Sequence, residues 1–472
     1  MWVDKWIVLA TCCLRLFFFT GCSKSNGVIL DDMVHQLNST HTLVAWAFAV
    51  QNGMACMFSK FFSTSPIAKL LFNVFTYREV AVIGGFLTGF GYVYCGLRVT
   101  SVWQLYVAFA VSGTGLAFSA LPGYVVLKEH FQDGFPTAVS ASSLFCSIGI
   151  AALPPLLQHL KSVFGTKGSI ILFGAITWNL IPAGFGLGEA NLDDSDHRDH
   201  RQNVTDRRPQ QDTNRNIKFV DKYLFFCSSL FYHKNYAILV VTEFLSCFIF
   251  ISWALFLVSL GENAGLPEEK AVLLSTIGGV GAFFGTGSAI GLFYYHKMNA
   301  YTSSLFPLLL NGVCCFGLTL VKDIHALATL SLLTGFCLGL HVSGIIGLIP
   351  SLVCRYHFQQ AVVVNYFVDG IAYQLGGLVS GRLQLLSFMN VQCGAGVLAT
   401  PTTETENLLF PSKIIYTIFV QTCMQLKFRG AIHDALGSTS GVYNFIALLS
   451  FLALPLIILW ACTKEPNREC GP

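Results

Sequence analysis

Charge is what this chain has least of. Asp, Glu, Lys and Arg make up 11% of its 472 residues, where a soluble domain carries about 25%. So few ions cannot cover a water-facing surface of this size, which excludes an ordinary soluble globule. Net charge is scarce too, at +3 near neutral pH, and that gives no footprint for nucleic acid. Paired cysteine motifs are missing as well. The 16 Cys stand singly in apolar runs or as neighbours (Cys12–Cys13, Cys314–Cys315), with no CxxC pair and no His at ligand spacing. They read as small apolar helix residues, not as a disulfide scaffold or a metal set. No nucleophile–base arrangement or phosphate loop occurs, so nothing implies an enzyme, a metal or a cofactor.

What is abundant is apolar. Hydrophobic residues reach 54%, with 41 Phe, and the mean hydropathy is +0.61. Runs of membrane-spanning length lie at 6–30, 41–59, 79–97, 102–126, 136–158 and 168–188. Six more follow at 236–260, 270–295, 302–321, 325–353, 360–386 and 441–462. A helix needs about 20 residues to cross the hydrocarbon core, so the reading is an all-α membrane protein of twelve transmembrane helices in two six-helix halves. The halves are 1–188 and 236–462. Between them 189–235 is polar, cannot bury a core and reads as a disordered linker; 463–472 is a tail. The first run, "WIVLATCCLRLFFFTGC", is interrupted by Arg15 and closed by no small-residue cleavage site, so it reads as an uncleaved span.

Lys and Arg concentrate in one set of loops (Lys60, Lys69, Arg78, Lys128, Lys297, Arg355) and in the linker. The positive-inside rule then places both termini in the cytosol. Asn38, in the sequon Asn38-Ser39-Thr40, falls outside and is available for glycosylation. Glycines at helical spacing (Gly85/Gly89, Gly281/Gly285, Gly335/Gly339, Gly377/Gly381) predict close helix packing.

The few ions inside the spans are the candidate functional groups. Arg15 lies nine residues after Trp6, roughly 13 Å into its helix. Lys24, nine residues further, faces the opposite side of a straight helix, so the two share one cavity only if Gly21 permits a bend. Lys24 is either a functional group or a side chain that snorkels to water. Glu243, His341 and Asp369 are each a solute contact, a proton carrier or a satisfied interhelical hydrogen bond. The segment 382–429 breaks the pattern. Its best apolar run, 414–426, is too short to cross, so it reads as an insertion, either a retained intron or an isoform-specific outer loop.

Several stretches carry a family resemblance: "DKWIVLATCC" through "SKSNGVILDDM", "SPIAKLLFNVFTYREVAVIGGFLTGFGYV", "VSGTGLAFSALPGYVVLKEHF", "LPEEKAVLLSTIGG" and "GGLVSG". Together they resemble the monocarboxylate transporter family of the major facilitator superfamily. That resemblance implies a plasma-membrane carrier of small organic solutes, working by alternating access, with a single-span immunoglobulin-type ancillary subunit as partner. Lys24 matches the position that meets a solute carboxylate; Arg15, Asp369 and His341 are further solute-binding candidates, and Glu243 and Asp369 proton-coupling candidates. One departure matters most. In the span 270–295 the family's proton-coupled members carry an Asp and, four residues on, an Arg; here Gly281 and Gly285 stand at those places. The expectation is therefore a carrier without tight proton coupling. A uniporter or exchanger for a zwitterionic or amine-bearing solute, or a family member that no longer transports, stays open.

Overall fold

The computed structural model describes residues 2–64, 75–131, 135–187, 234–295, 306–352 and 358–394, with scattered helical positions between 443 and 450. Among these residues the chain is helical throughout. The first half comprises α1 (Trp2–Ser25), α2 (Leu30–Gln36), α3 (His41–Thr64), α4 (Tyr77–Arg98), α5 (Val102–Phe131), α6 (Phe135–Thr177) and α7 (Leu180–Phe185). The second comprises α8 (Lys234–Asn263), α9 (Glu268–Tyr294), α10 (Phe306–Leu320), α11 (Ile324–Leu352) and α12 (Phe358–Gly394). Seven stretches among them are long and apolar enough to cross a membrane. The linker from 188 to 233, residues 395–429 and the C-terminal tail lie outside the described residues; residues 382–394, at the start of the expected insertion, prolong α12.

Local chemistry sets several boundaries. Thr76 caps α4 by accepting from the Glu79 backbone, while its own N–H donates to the Glu79 carboxylate at 2.8 Å, a reciprocal capping box. Two helices meet within α6 at Gly165, φ 68° and ψ 176°, a conformation that costs a side-chain-bearing residue steric strain. That break places Lys161 at one end of the bundle. The first sequence run was expected to stay helical to residue 30; instead α1 stops at Ser25 and a turn leads into α2. Gly27 lies in this turn, against the Ala254 and Leu255 backbone.

Two long seams join the halves, α3 against α12 and α6 against α9, with a smaller contact of α1 on α8. The first pairs the second span of one half with the fifth of the other, and the second reverses that pairing, as an internal two-fold requires. The span in α8 is 83% buried, against 44–56% for the other spans, so α8 is the most enclosed. Within the second half, Gly281 and Gly285 of α9 meet the Leu332 and Phe336 carbonyls of α11, and Gly335 and Gly339 of α11 meet the Gly278 and Ala282 carbonyls in return. The expected packing role of these glycines holds.

Candidate functional site

Lys24 is fully buried, so the snorkelling alternative fails. Its Nζ donates to the Trp253 carbonyl on α8 at 2.9 Å and lies 3.1 Å from the centroid of the Trp253 ring. No carboxylate pairs with it among the described residues. A buried polar net holds the chain around it. Asn26 donates to Gln51 at 2.7 Å, Gln51 donates to Ser112 at 2.7 Å, and Tyr92 donates to Asn26 at 3.0 Å. The end of α1 is thereby tied to α3, α4 and α5.

Arg15 sits elsewhere. α1 remains helical through Gly21, whose open side packs on Gly149 and Leu153 of α6, so the bend that would bring both cations into one cavity does not occur. Arg15 Nη1 donates to the Ser119 carbonyl of α5, and its Nε and Nη2 have no partner among the described residues. It lines a small recess with Cys12, Gly123 and Ser142. Lys24 faces the other half; Arg15 faces the interior of its own.

Glu243, His341 and Asp369 do converge. Glu243 Oε2 stands 3.0 Å from His341 Nε2. Carboxylate oxygens of Glu243 and Asp369 and the Cys247 sulfur lie within 4.8 Å of one another, all on buried residues. The sequence reading missed Cys247 and Trp253. Its one available signal was the four-residue spacing of Glu243 and Cys247, which puts them on one helix face.

A third cluster, also unforeseen, closes one end of the bundle. Lys161 pairs with Asp32 at 2.6 Å and also with Glu268, so one ammonium from the first half holds a carboxylate of each half. Ser259 of α8 donates to Asp31 at 2.7 Å, and His41 stands 2.9 Å from the other Asp31 oxygen. Burial pushes the Asp31 carboxyl up, but the hydrogen bonds from His41 and Ser259 and the charges of His41 and His35 outweigh it and hold it below its ordinary 3.8. A depressed carboxyl stabilises the state in which it is paired above the unpaired value, and that contribution is lost as pH falls through the lowered one. The share of Asp31 in this closure is therefore present at neutral pH and is lost as pH falls below the ordinary 3.8 toward the lowered value. Replacing Lys161 by Ala is expected to loosen the closed end. The readout is a rise of several-fold in labelling of Ser259→Cys by a membrane-impermeant thiol reagent from that side, above the native-thiol background; unchanged labelling would show that helix packing alone keeps this end shut.

The comparisons with known proteins agree with this architecture. The family model of the Major Facilitator Superfamily matches residues 8–381. Human (Homo sapiens) monocarboxylate transporter 2 is 25% identical over 410 residues, covering 84% of this chain and 83% of the relative. Mouse (Mus musculus) monocarboxylate transporter 4 is 21% identical over 412 residues, covering 84% and 81%. Among solved structures, an inward-facing, unoccupied bacterial homolog of the human lysosomal transporter Spinster superposes with a TM-score of 0.66 at 12% identity, covering 97% of each chain. A D-xylose–proton symporter gives 0.63 at 12% identity, again with 97% of each chain covered.

Proposed function

Because the chain belongs to the Major Facilitator Superfamily and is a transporter, not an enzyme, we propose that it carries small monocarboxylates or related polar metabolites across the plasma membrane by alternating access. The observation that carries this reading is Lys24. An ammonium taken fully out of water is costly unless paired, and here its partners are a neutral carbonyl and an indole face. A solute carboxylate is a stronger partner than either, since it adds a full opposite charge to the hydrogen bond in a site removed from water. Lys24 is thus the group that receives the anionic end, and Arg15, with two nitrogens unpartnered among the described residues, is a lesser second station. Trp253 gives Lys24 a partial partner when no solute is present, which lowers the cost of closing the empty carrier at this end.

In this reading the Lys161 end is the outer face, both termini are cytosolic, and Asn38, exposed beside α2, carries glycan. A single-span immunoglobulin-type ancillary subunit, which the family resemblance implies, belongs to the same reading. Coupling to protons is loose, because Gly281 and Gly285 supply no titrating group in α9; Glu243 and Asp369 are the groups left that could serve. The test is uptake of a labelled monocarboxylate panel into vesicles bearing the reconstituted protein, with and without an imposed pH gradient. Saturable uptake that changes less than about twofold between outside pH 7.5 and 6 is expected, a difference in driving free energy of under about 0.5 kcal/mol. Absence of saturable uptake of any member would overturn the carrier reading, and strong gradient-driven accumulation would restore tight coupling.

A further inference from the structure

Lys24 of the first half faces the second half, and the second half holds a buried acidic centre. Glu243 and Cys247 on α8 and Asp369 on α12 bring two carboxylates and a thiol within 4.8 Å. His341 of α11 stands 3.0 Å from Glu243, Cys247 Sγ donates to the other Glu243 oxygen at 3.8 Å, and Tyr373 lies one turn beyond Asp369. Cys56 of α3 adds a thiol from the opposite half. Asp369 is 4% exposed, and its Oδ1 has no hydrogen-bond partner among the described residues. Two carboxylates this close, away from water, do not both stay ionised without positive charge between them. Glu243 has His341 beside it, whereas Asp369 Oδ1 has no hydrogen-bond partner among the described residues, so a cation placed there would let both carboxylates stay ionised.

Aromatic rings connect this centre to Lys24. The Trp253 ring that receives Lys24 lies 6.3 Å from Phe250, and Phe250 lies 6.0 Å from Tyr373. Aromatic faces attract organic cations and cover apolar chain, whereas a small metal ion would make no use of them. We propose that the acidic centre receives a cationic nitrogen of the solute, which is therefore an extended zwitterion: carboxylate at Lys24, apolar middle along Trp253, Phe250 and Tyr373, and ammonium at Asp369 and Glu243. This rests on the reading of Lys24 as the carboxylate anchor.

The experiment compares two labelled probes of equal length, 6-aminohexanoate and heptanoate, as saturable uptake by the full chain in liposomes at equal pH on both sides. Uptake of 6-aminohexanoate is expected to exceed that of heptanoate by about tenfold or more, equivalent to at least about 1.4 kcal/mol, and Asp369→Asn is expected to bring the ratio to about one. Glu243→Gln should lower the ratio in the same direction, which keeps the test open if the Asp369 variant does not fold. Heptanoate taken up as well as its amino counterpart by the unaltered protein, or a ratio that Asp369→Asn leaves unchanged, would overturn the proposal. So would lumenal acidification driven by heptanoate and lost in Asp369→Asn, which would make the centre a proton site. If Lys24→Gln leaves both probes' uptake intact, the carboxylate anchor has failed, an outcome distinct from these.

Discussion

Lys24→Gln is expected to remove at least about thirtyfold of the saturable uptake, with the protein still reaching the membrane. Truncating one member of a desolvated charge pair costs about 2 kcal/mol or more, and that free energy is about thirtyfold in binding. Folding should not suffer, because Lys24 is a buried ammonium whose partners among the described residues are the Trp253 carbonyl and ring. Replacing an incompletely compensated buried charge by a neutral group is often neutral or stabilising. Two readouts therefore move apart, uptake down and thermal stability level or up. A side chain held only for structure would lower both together. Arg15→Gln should reduce uptake by less, on the order of a few-fold, since Arg15 is already bonded to the Ser119 carbonyl and points into its own half. If the two variants exchange these effects, the anchor is Arg15.

Restoring the acidic residue of proton-coupled relatives in α9 by Gly281→Asp is expected to lower the amount of folded protein at the surface to about a tenth or less, without creating coupling. A Cβ at Gly281 would press into the Leu332 carbonyl, and that atom is backbone on a packed helix with little room to yield. Overpacking a fitted interface costs about 1–3 kcal/mol, and an unpartnered carboxylate in the seam adds a desolvation cost. Gly281→Ala should therefore also harm folding, whereas Gly287→Ala, with open space around the added atom, should not. Normal surface levels of Gly281→Asp, with uptake that now follows a pH gradient, would show that this position faces the solute path and not α11.

Hydropathy alone determined that this is a membrane protein of two six-helix halves, because lipid demands long uninterrupted apolar runs and the chain supplies them. Scarcity made the candidate ions legible: with so few charges in the spans, Lys24, Arg15, Glu243, His341 and Asp369 stand out one by one. The glycine spacing likewise announced the α9–α11 seam. Which way each ion faces was not legible. The polar residues of an enclosed helix such as α8 (Thr242, Glu243, Ser246, Ser252, Ser259) are spread around it, so its sequence has no single polar stripe from which its rotation can be read. Nothing in the sequence therefore pairs Lys24 with Trp253, 229 residues away, or brings Asp31 and Asp32 of α2, Lys161 of α6 and Glu268 of α9 into one closure. The straightness of α1 at Gly21 was also decided by contact with α6, and it is what sends Lys24 and Arg15 to opposite sides. Long-range packing assembles this site, because in an apolar bundle the partner of a buried ion is set by which helix lies beside it.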